Sequence, residues 1–310
     1  MVEQRGGEGG MDGWVGRKGL ALGAIYLIWG STYLAIRFAI ETLPPFIMAG
    51  GRFLIAGVLL YVFARSRGAT RPTRAHWRGA AIVGTLLLMG GNGAVTWAEQ
   101  HVASGATALL VAMVPFWMVL LDWLRPGGRR PAASVWVGIA VGFAGLALLI
   151  GPGHVVQGAG SALGVAALAV GTLCWATGSL LSRGLPRPDS PLLGVGMQML
   201  VGGTVLMLAG LLSGEASRVA VHDVSARSVL AVTYLVLFGS IVAYSSYVWL
   251  LRVAPPAVVS TYAYVNPVIA VFLGWLLAGE TVTLRTLIAA AIIIGAVGLI
   301  NVSRPRHDHG

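Results

Sequence analysis

Cysteine and lysine are almost missing from this chain of 310 residues: Cys174 and Lys18 are single occurrences. One cysteine excludes an intrachain disulfide and a thiolate metal cluster, and it reads as a small apolar packing residue. Lys18 sits in Gly16-Arg17-Lys18-Gly19 rather than after the glycines of a phosphate-binding loop, which excludes ATP-driven chemistry of that kind. HExxH, a Gly-rich dinucleotide fingerprint and GxSxG are missing too. Enzyme function therefore has little support, and no cofactor or metal is called for. Charge is also scarce, at 10% of residues, where soluble domains carry about a quarter.

What fills the chain is apolar: 56% of residues are hydrophobic and the mean hydropathy is +0.81. The apolar residues fall into runs of about 20, the length that crosses a hydrocarbon core about 30 Å thick. Ten spans are predicted, at 19–39, 45–65, 78–98, 104–124, 133–151, 161–182, 191–212, 227–249, 256–277 and 284–302. The expected fold is an all-α integral membrane protein with ten transmembrane helices in contact with membrane lipid. Residues 1–18, polar and glycine-rich, are expected to be a disordered N-terminus, and the first apolar run serves as its own insertion signal.

A net charge of +10 raises the question of nucleic acid, but the basic residues alternate by loop. Sixteen of the 21 Lys and Arg precede the first span or follow an even-numbered one; Arg218, Arg227 and Arg285 lie on the other side, and Arg37 and Arg52 lie inside spans. Basicity is thus a topology signal that puts both termini in the cytoplasm, and no nucleic-acid partner is expected.

The two halves repeat. Trp29, Arg37 and Pro45 recur as Trp175, Arg183 and Pro191 at an offset of 146; Trp97, Pro115, Trp123 and Gly127 recur as Trp249, Pro267, Trp275 and Gly279 at an offset of 152. Five spans per half is an odd number, so the second copy enters from the opposite side. The expected architecture is an inverted-topology pair of repeats, 19–151 and 161–302, joined by a periplasmic linker at 152–160 and followed by a cytoplasmic tail at 303–310. Such pairs occur in transporters whose substrate site lies near the midplane.

Pro115 and Pro267 free the carbonyls of Val111 and Ala263 at mid-membrane depth, where only protein or a wet cavity satisfies them. They are candidate hinges flanking a central cavity. Tyr262, Tyr264 and Asn266, with Tyr244 and Tyr247 from the preceding span and Asn92 and Trp97 from the third, are candidate binding residues for a small amphipathic solute. The alternative is a packing kink with tyrosines in interfacial belts. Arg52, about 10 Å deep at the helical rise, reads either as an anchor for a substrate carboxylate or as a structural partner of Glu99. Its repeat mate is Gln198. Glu99 and His101, at the outer end of the third span, are the candidates for proton coupling. Small-xxx-small spacings support packing within one chain, hence a monomer or weak dimer.

The segment Ile28-Trp29-Gly30-Ser31-Thr32, the pair Arg52-Phe53, the run Gly91-Asn92-Gly93 with Ala98-Glu99, and Tyr262-Ala-Tyr-Val-Asn-Pro267 followed by Gly279-Glu280 resemble the EamA branch of the drug/metabolite transporter superfamily. The resemblance covers about residues 20–302 as two repeats. It implies a bacterial inner-membrane carrier, usually an exporter of amino acids or related metabolites. The first copy departs from the pattern at Val114, opposite Asn266, and at Gly128, opposite Glu280. A lipid flippase or another non-carrier membrane protein is the alternative function.

Overall fold

A computed structural model describes residues 8–101, 107, 110–128, 130–150, 159–278 and 283–302. The predicted linker, the C-terminal tail and the Gly279-Glu280 pair fall wholly or mostly outside these residues. Among the described residues there is no strand. The helices are α1 (Glu8–Ala39), α2 (Pro45–Ser66), α3 (Arg74–Ala98), α4 (Met113–Leu124), α5 (Ala133–Ile150), α6 (Ala159–Leu181), α7 (Pro191–Leu212), α8 (Ala226–Val253), α9 (Tyr262–Ala278) and α10 (Leu284–Val302). Six of them, α1, α2, α3, α6, α7 and α8, are long and apolar enough to cross a membrane. Large apolar side chains such as Leu27, Ile55, Val62 and Leu212 stand exposed on the outside of these helices, a surface suited to lipid rather than water.

Local chemistry sets the ends. Pro45 and Pro191 occupy first-turn positions, where a missing N–H costs nothing. Thr73, Ser190 and Ser225 cap α3, α7 and α8 with their hydroxyls. α2 has no such cap of its own, and the N–H of Ile47 instead donates to Glu215 Oε2 at 2.9 Å from the chain beyond α7. α1 starts at Glu8, ahead of the predicted start at residue 19. No proline interrupts the run from Glu8 into Leu20.

α2 and α7 form the central seam. A Cβ on Gly57 would lie 2.9 Å from the Leu200 N and 3.1 Å from the Gly196 O; one on Gly196 would lie 2.9 Å from the Tyr61 N and 3.1 Å from the Gly57 O. Gly50 and Gly203 show the same reciprocity, with Gly50 facing Gly203 O at 3.0 Å and Gly203 facing Gly50 O at 3.1 Å. As residue numbers rise along α2 they fall along α7, so the helices are antiparallel, and their backbones approach closely because no side chain intervenes. Moving α2 by 146 residues turns Gly50 into Gly196 and Gly57 into Gly203. Each contact therefore maps onto the other.

Other features recur in both halves. α5 packs on α10, with Gly138 against Ile300 and Gly145 against Ile293. α3 and α8 each contain a stretch of wide, i→i+5 bonded turns, at Thr85–Gly93 and Leu235–Tyr244. Moved by 152 residues, the first overlaps the second. Such wide turns cluster at functional sites.

The prolines differ from one another. The chain turns at Ala112 and α4 begins at Met113, so Pro115 stands in a first turn and bends no continuous helix there. Its lack of an N–H favours the start of α4. Pro267 lies inside α9, which follows a short helical turn at Pro256–Val259 and a break at Ser260-Thr261.

Candidate functional site

Between the halves lies a cavity with about 760 Å³ of empty space, counting the open space at its mouth. Its walls come from α1, α2, α3, α4, α6, α8 and α9, together with Val111 just ahead of α4. Arg52, Asn92, Tyr244, Tyr262 and Asn266 all line it, which unites five of the candidates.

Among the described lining residues Arg52 is the only Asp, Glu, Lys or Arg. It is buried on α2, and its Nη2 donates to Asn92 Oδ1 at 2.8 Å. The wide turns of α3 carry Asn92, whose carbonyl accepts from Thr96 Oγ1 at 2.9 Å. The Phe53 ring lies 4.4 Å from the guanidinium carbon, an arrangement that favours a cation. Among the described residues Arg52 Nε has no hydrogen-bond partner. Glu99 is within electrostatic reach of Arg52, yet no ion pair within 4.0 Å joins them, and the shielded Glu99 Oε1 has no partner among the described residues either. The guanidinium thus retains donor capacity inside a membrane-depth cavity, where an unmet donor is costly.

Opposite, Tyr244 Oη donates to Gln198 Oε1 at 3.0 Å. Asn266, with its amide turned to satisfy both neighbours, donates to the carbonyls of Tyr26 (3.2 Å) and Tyr262 (3.0 Å), tying α9 to α1.

An aromatic floor closes one end. Trp29 packs on Trp175, Tyr247 and Tyr262 with ring centroids 5.7, 5.1 and 4.9 Å away. Trp175 Nε1 donates to Tyr247 Oη at 2.8 Å, Ser179 Oγ lies 2.6 Å from the same oxygen, and Trp29 Nε1 donates to the Gly239 carbonyl at 3.2 Å. Tyr247 is therefore a buried part of the floor rather than a wall of the cavity. Trp29 and Trp175, repeat mates at the offset of 146, are not among the candidate binding residues read from the sequence. Their recurrence in both halves was the signal for a shared site.

Two candidates stand apart. Tyr264 is buried on the far side of α9, its ring 6.1 Å from Phe143 and 3.0 Å from where a Cβ on Gly142 would sit. Trp97 does not line the cavity; it packs on His101 with centroids 4.9 Å apart, and His101 is exposed. Among the described residues no group of His, Cys, Asp and Glu is placed to hold a metal ion.

Two copies of one sequence pattern surround this cavity, and both match the same family, the EamA-like transporter family, over residues 18–151 and 162–302. The chain belongs to that family. It is 42% identical over 285 residues to the uncharacterized inner membrane transporter YedA of Escherichia coli (strain K12), covering 92% of this chain and 90% of YedA. It is 30% identical over 287 residues to a probable terminal-alkyne amino-acid exporter of Streptantibioticus cattleyicolor, covering 91% and 92%. A solved crystal structure at 20% identity superposes with a TM-score of 0.75 over 91% of this chain and 96% of that one, a likeness of fold. The EamA family members it resembles are named as transporters, and this chain is a multi-pass membrane protein of the same kind.

Proposed function

We propose that this protein is a secondary carrier of the bacterial inner membrane that exports a small amphipathic metabolite bearing a carboxylate, such as an amino acid, by alternating access around the cavity between its halves. Ten crossings form two inverted five-helix repeats in this reading, with both termini cytoplasmic. The reciprocal α2–α7 glycine contacts support the inversion, because two copies related by a two-fold axis in the membrane plane meet in that way. The observation that carries the substrate class is Arg52: a buried guanidinium, the charged group among the described lining residues, borders a cavity floored by aromatic rings. A carboxylate pairs with that guanidinium, and the rings suit an apolar side chain. The name of the S. cattleyicolor relative agrees with this class. Walls from seven helices enclose the cavity, which favours a water-soluble solute over a lipid sliding through a lateral groove. Glu99, beside Arg52, is the group assigned to proton coupling.

Counterflow of a labelled amino-acid panel into proteoliposomes, with and without an imposed pH gradient, tests the reading. Exchange of at least one member, lost when its carboxylate is amidated, is expected. Equal exchange of the acid and the amide overturns the carboxylate assignment.

A further inference from the structure

A second crevice lies across the aromatic floor from the cavity. Along α3, α6 and α8 it uses the ends remote from the cavity: His76 near the start of α3, Ser182 after α6, and Val248 and Arg252 at the end of α8, joined by Arg187 and by Gln198 of α7. Its empty space is about 370 Å³, half that of the cavity. Gln198 spans the wall between the two, since the Tyr244 hydroxyl that it accepts belongs to the cavity lining.

The crevice is the second half's version of the cavity mouth. Gln198 is the residue reached from Arg52, and Ser182 the residue reached from Ile36, at the offset of 146; Arg52 and Ile36 both line the cavity. The charges differ between the two. Arg52 has a carboxylate, Glu99, within electrostatic reach. The crevice holds two guanidiniums, and no described carboxylate comes within 4.0 Å of either. Arg187 Nη1 donates to the carbonyls of Ser182 (3.5 Å) and Arg183 (3.1 Å), which orients the group without neutralising it. Arg187 is exposed and Arg252 half-buried, and two cations lining one narrow cleft attract small anions. The face concerned is the one that the basic loops assign to the cytoplasm.

We propose that this crevice captures the carboxylate of the solute on the cytoplasmic side, with Arg252 and Arg187 as its ligands, before the Tyr244–Gln198 pair parts and the anion passes to Arg52. The proposal rests on the carboxylate-carrier reading above. It also makes the cytoplasmic face the side of higher affinity for the anion. An anion arriving from inside meets two guanidiniums that no described carboxylate approaches within 4.0 Å, whereas one bound at Arg52 shares that cation with Glu99.

The test begins from Ser182→Cys in a Cys174→Ala background, reconstituted in phosphatidylcholine vesicles, which supply no anionic headgroup. Its reaction rates with sulfonatoethyl and trimethylammonioethyl methanethiosulfonate are compared. The anionic reagent is expected to gain about tenfold over the cationic one, within the range by which charged clefts enrich small ions. Arg252→Gln removes the gain and Arg252→Lys restores it. In the native-serine protein, Arg252→Gln raises the KM for labelled L-phenylalanine offered at the cytoplasmic face and leaves the KM at the outer face unchanged. No charge preference, or a preference that survives combined Arg187→Gln and Arg252→Gln, overturns the proposal. If the preference follows Arg252 while L-phenylalanine and the other amino acids are not carried, the crevice stands as an anion site and the amino-acid reading falls.

Discussion

Arg52 and Gln198 occupy the same station in the two halves of the chain, and each hydrogen-bonds the residue at the matching station of the next helix. Arg52 donates to Asn92 at 2.8 Å, and Gln198 accepts from Tyr244 at 3.0 Å. Asn92 and Tyr244 are themselves repeat mates at the offset of 152, and both line the cavity. One half therefore presents a cation where the other presents an amide.

Arg52→Gln makes the first half resemble the second. Hydrogen bonds to a charged group contribute about 1.5–3 kcal/mol, so the affinity for a carboxylate solute at the outer face is expected to fall roughly ten- to hundredfold. Counterflow KM measured beside a thermal melt in detergent checks this, since a folded variant with unchanged KM assigns Arg52 to structure alone.

Glu99→Gln removes the carboxylate near Arg52 without changing its size. Counterflow is expected to persist while its response to an imposed pH gradient disappears. A response equal to that of the unmodified protein would place proton exchange elsewhere.

Tyr247→Phe deletes the oxygen that accepts from Trp175 and pairs with Ser179. The Trp175 N–H is then left unmet in the floor, at a cost of about 1–3 kcal/mol. A lower melting temperature is expected, together with faster labelling of Ser182→Cys from the cytoplasmic side as the floor loosens.

Gly57→Val pushes a side chain into the backbone of Leu200, whose nitrogen lies 2.9 Å from the added Cβ. Overpacking of this sort costs about 1–3 kcal/mol or more. Gly51→Ala on the same helix meets only the Met207 methyl, at 3.9 Å, and should melt like the unmodified protein. Thermal shift of the two variants side by side separates the seam from general sensitivity of α2.

Most helix positions and the repeat offsets were readable in the sequence, because span length and recurring landmarks are one-dimensional signals. The Arg52–Asn92 hydrogen bond was not, since depth alone suggested Glu99 as the protein partner of Arg52. Which face of a helix meets the cavity was harder to read. Tyr262 and Asn266, four residues apart, share a face, whereas Tyr264 is turned about 200° from Tyr262 at the helical pitch and packs on Phe143 instead. Trp97, five residues beyond Asn92, is rotated off the cavity by the same geometry. Pro115 sits near the middle of the predicted fourth span, as Pro267 does in the ninth, which is what suggests a hinge in the sequence. The local turn at Ala112 makes it a helix start, a matter of chain path that spacing does not encode. Likewise, nothing near α2 in the sequence points to Glu215, its cap from the other half of the chain.

The glycine contacts between α2 and α7 are those of a symmetric dimer drawn inside one polypeptide. A true dimer of identical chains carries every substitution twice, so a cation placed on one face of the site appears on the other as well. Here the partners are separate stretches of one gene and are free to diverge. Position 52 can hold an arginine while position 198 holds a glutamine, so the two sides of a seam with matched glycines differ in charge.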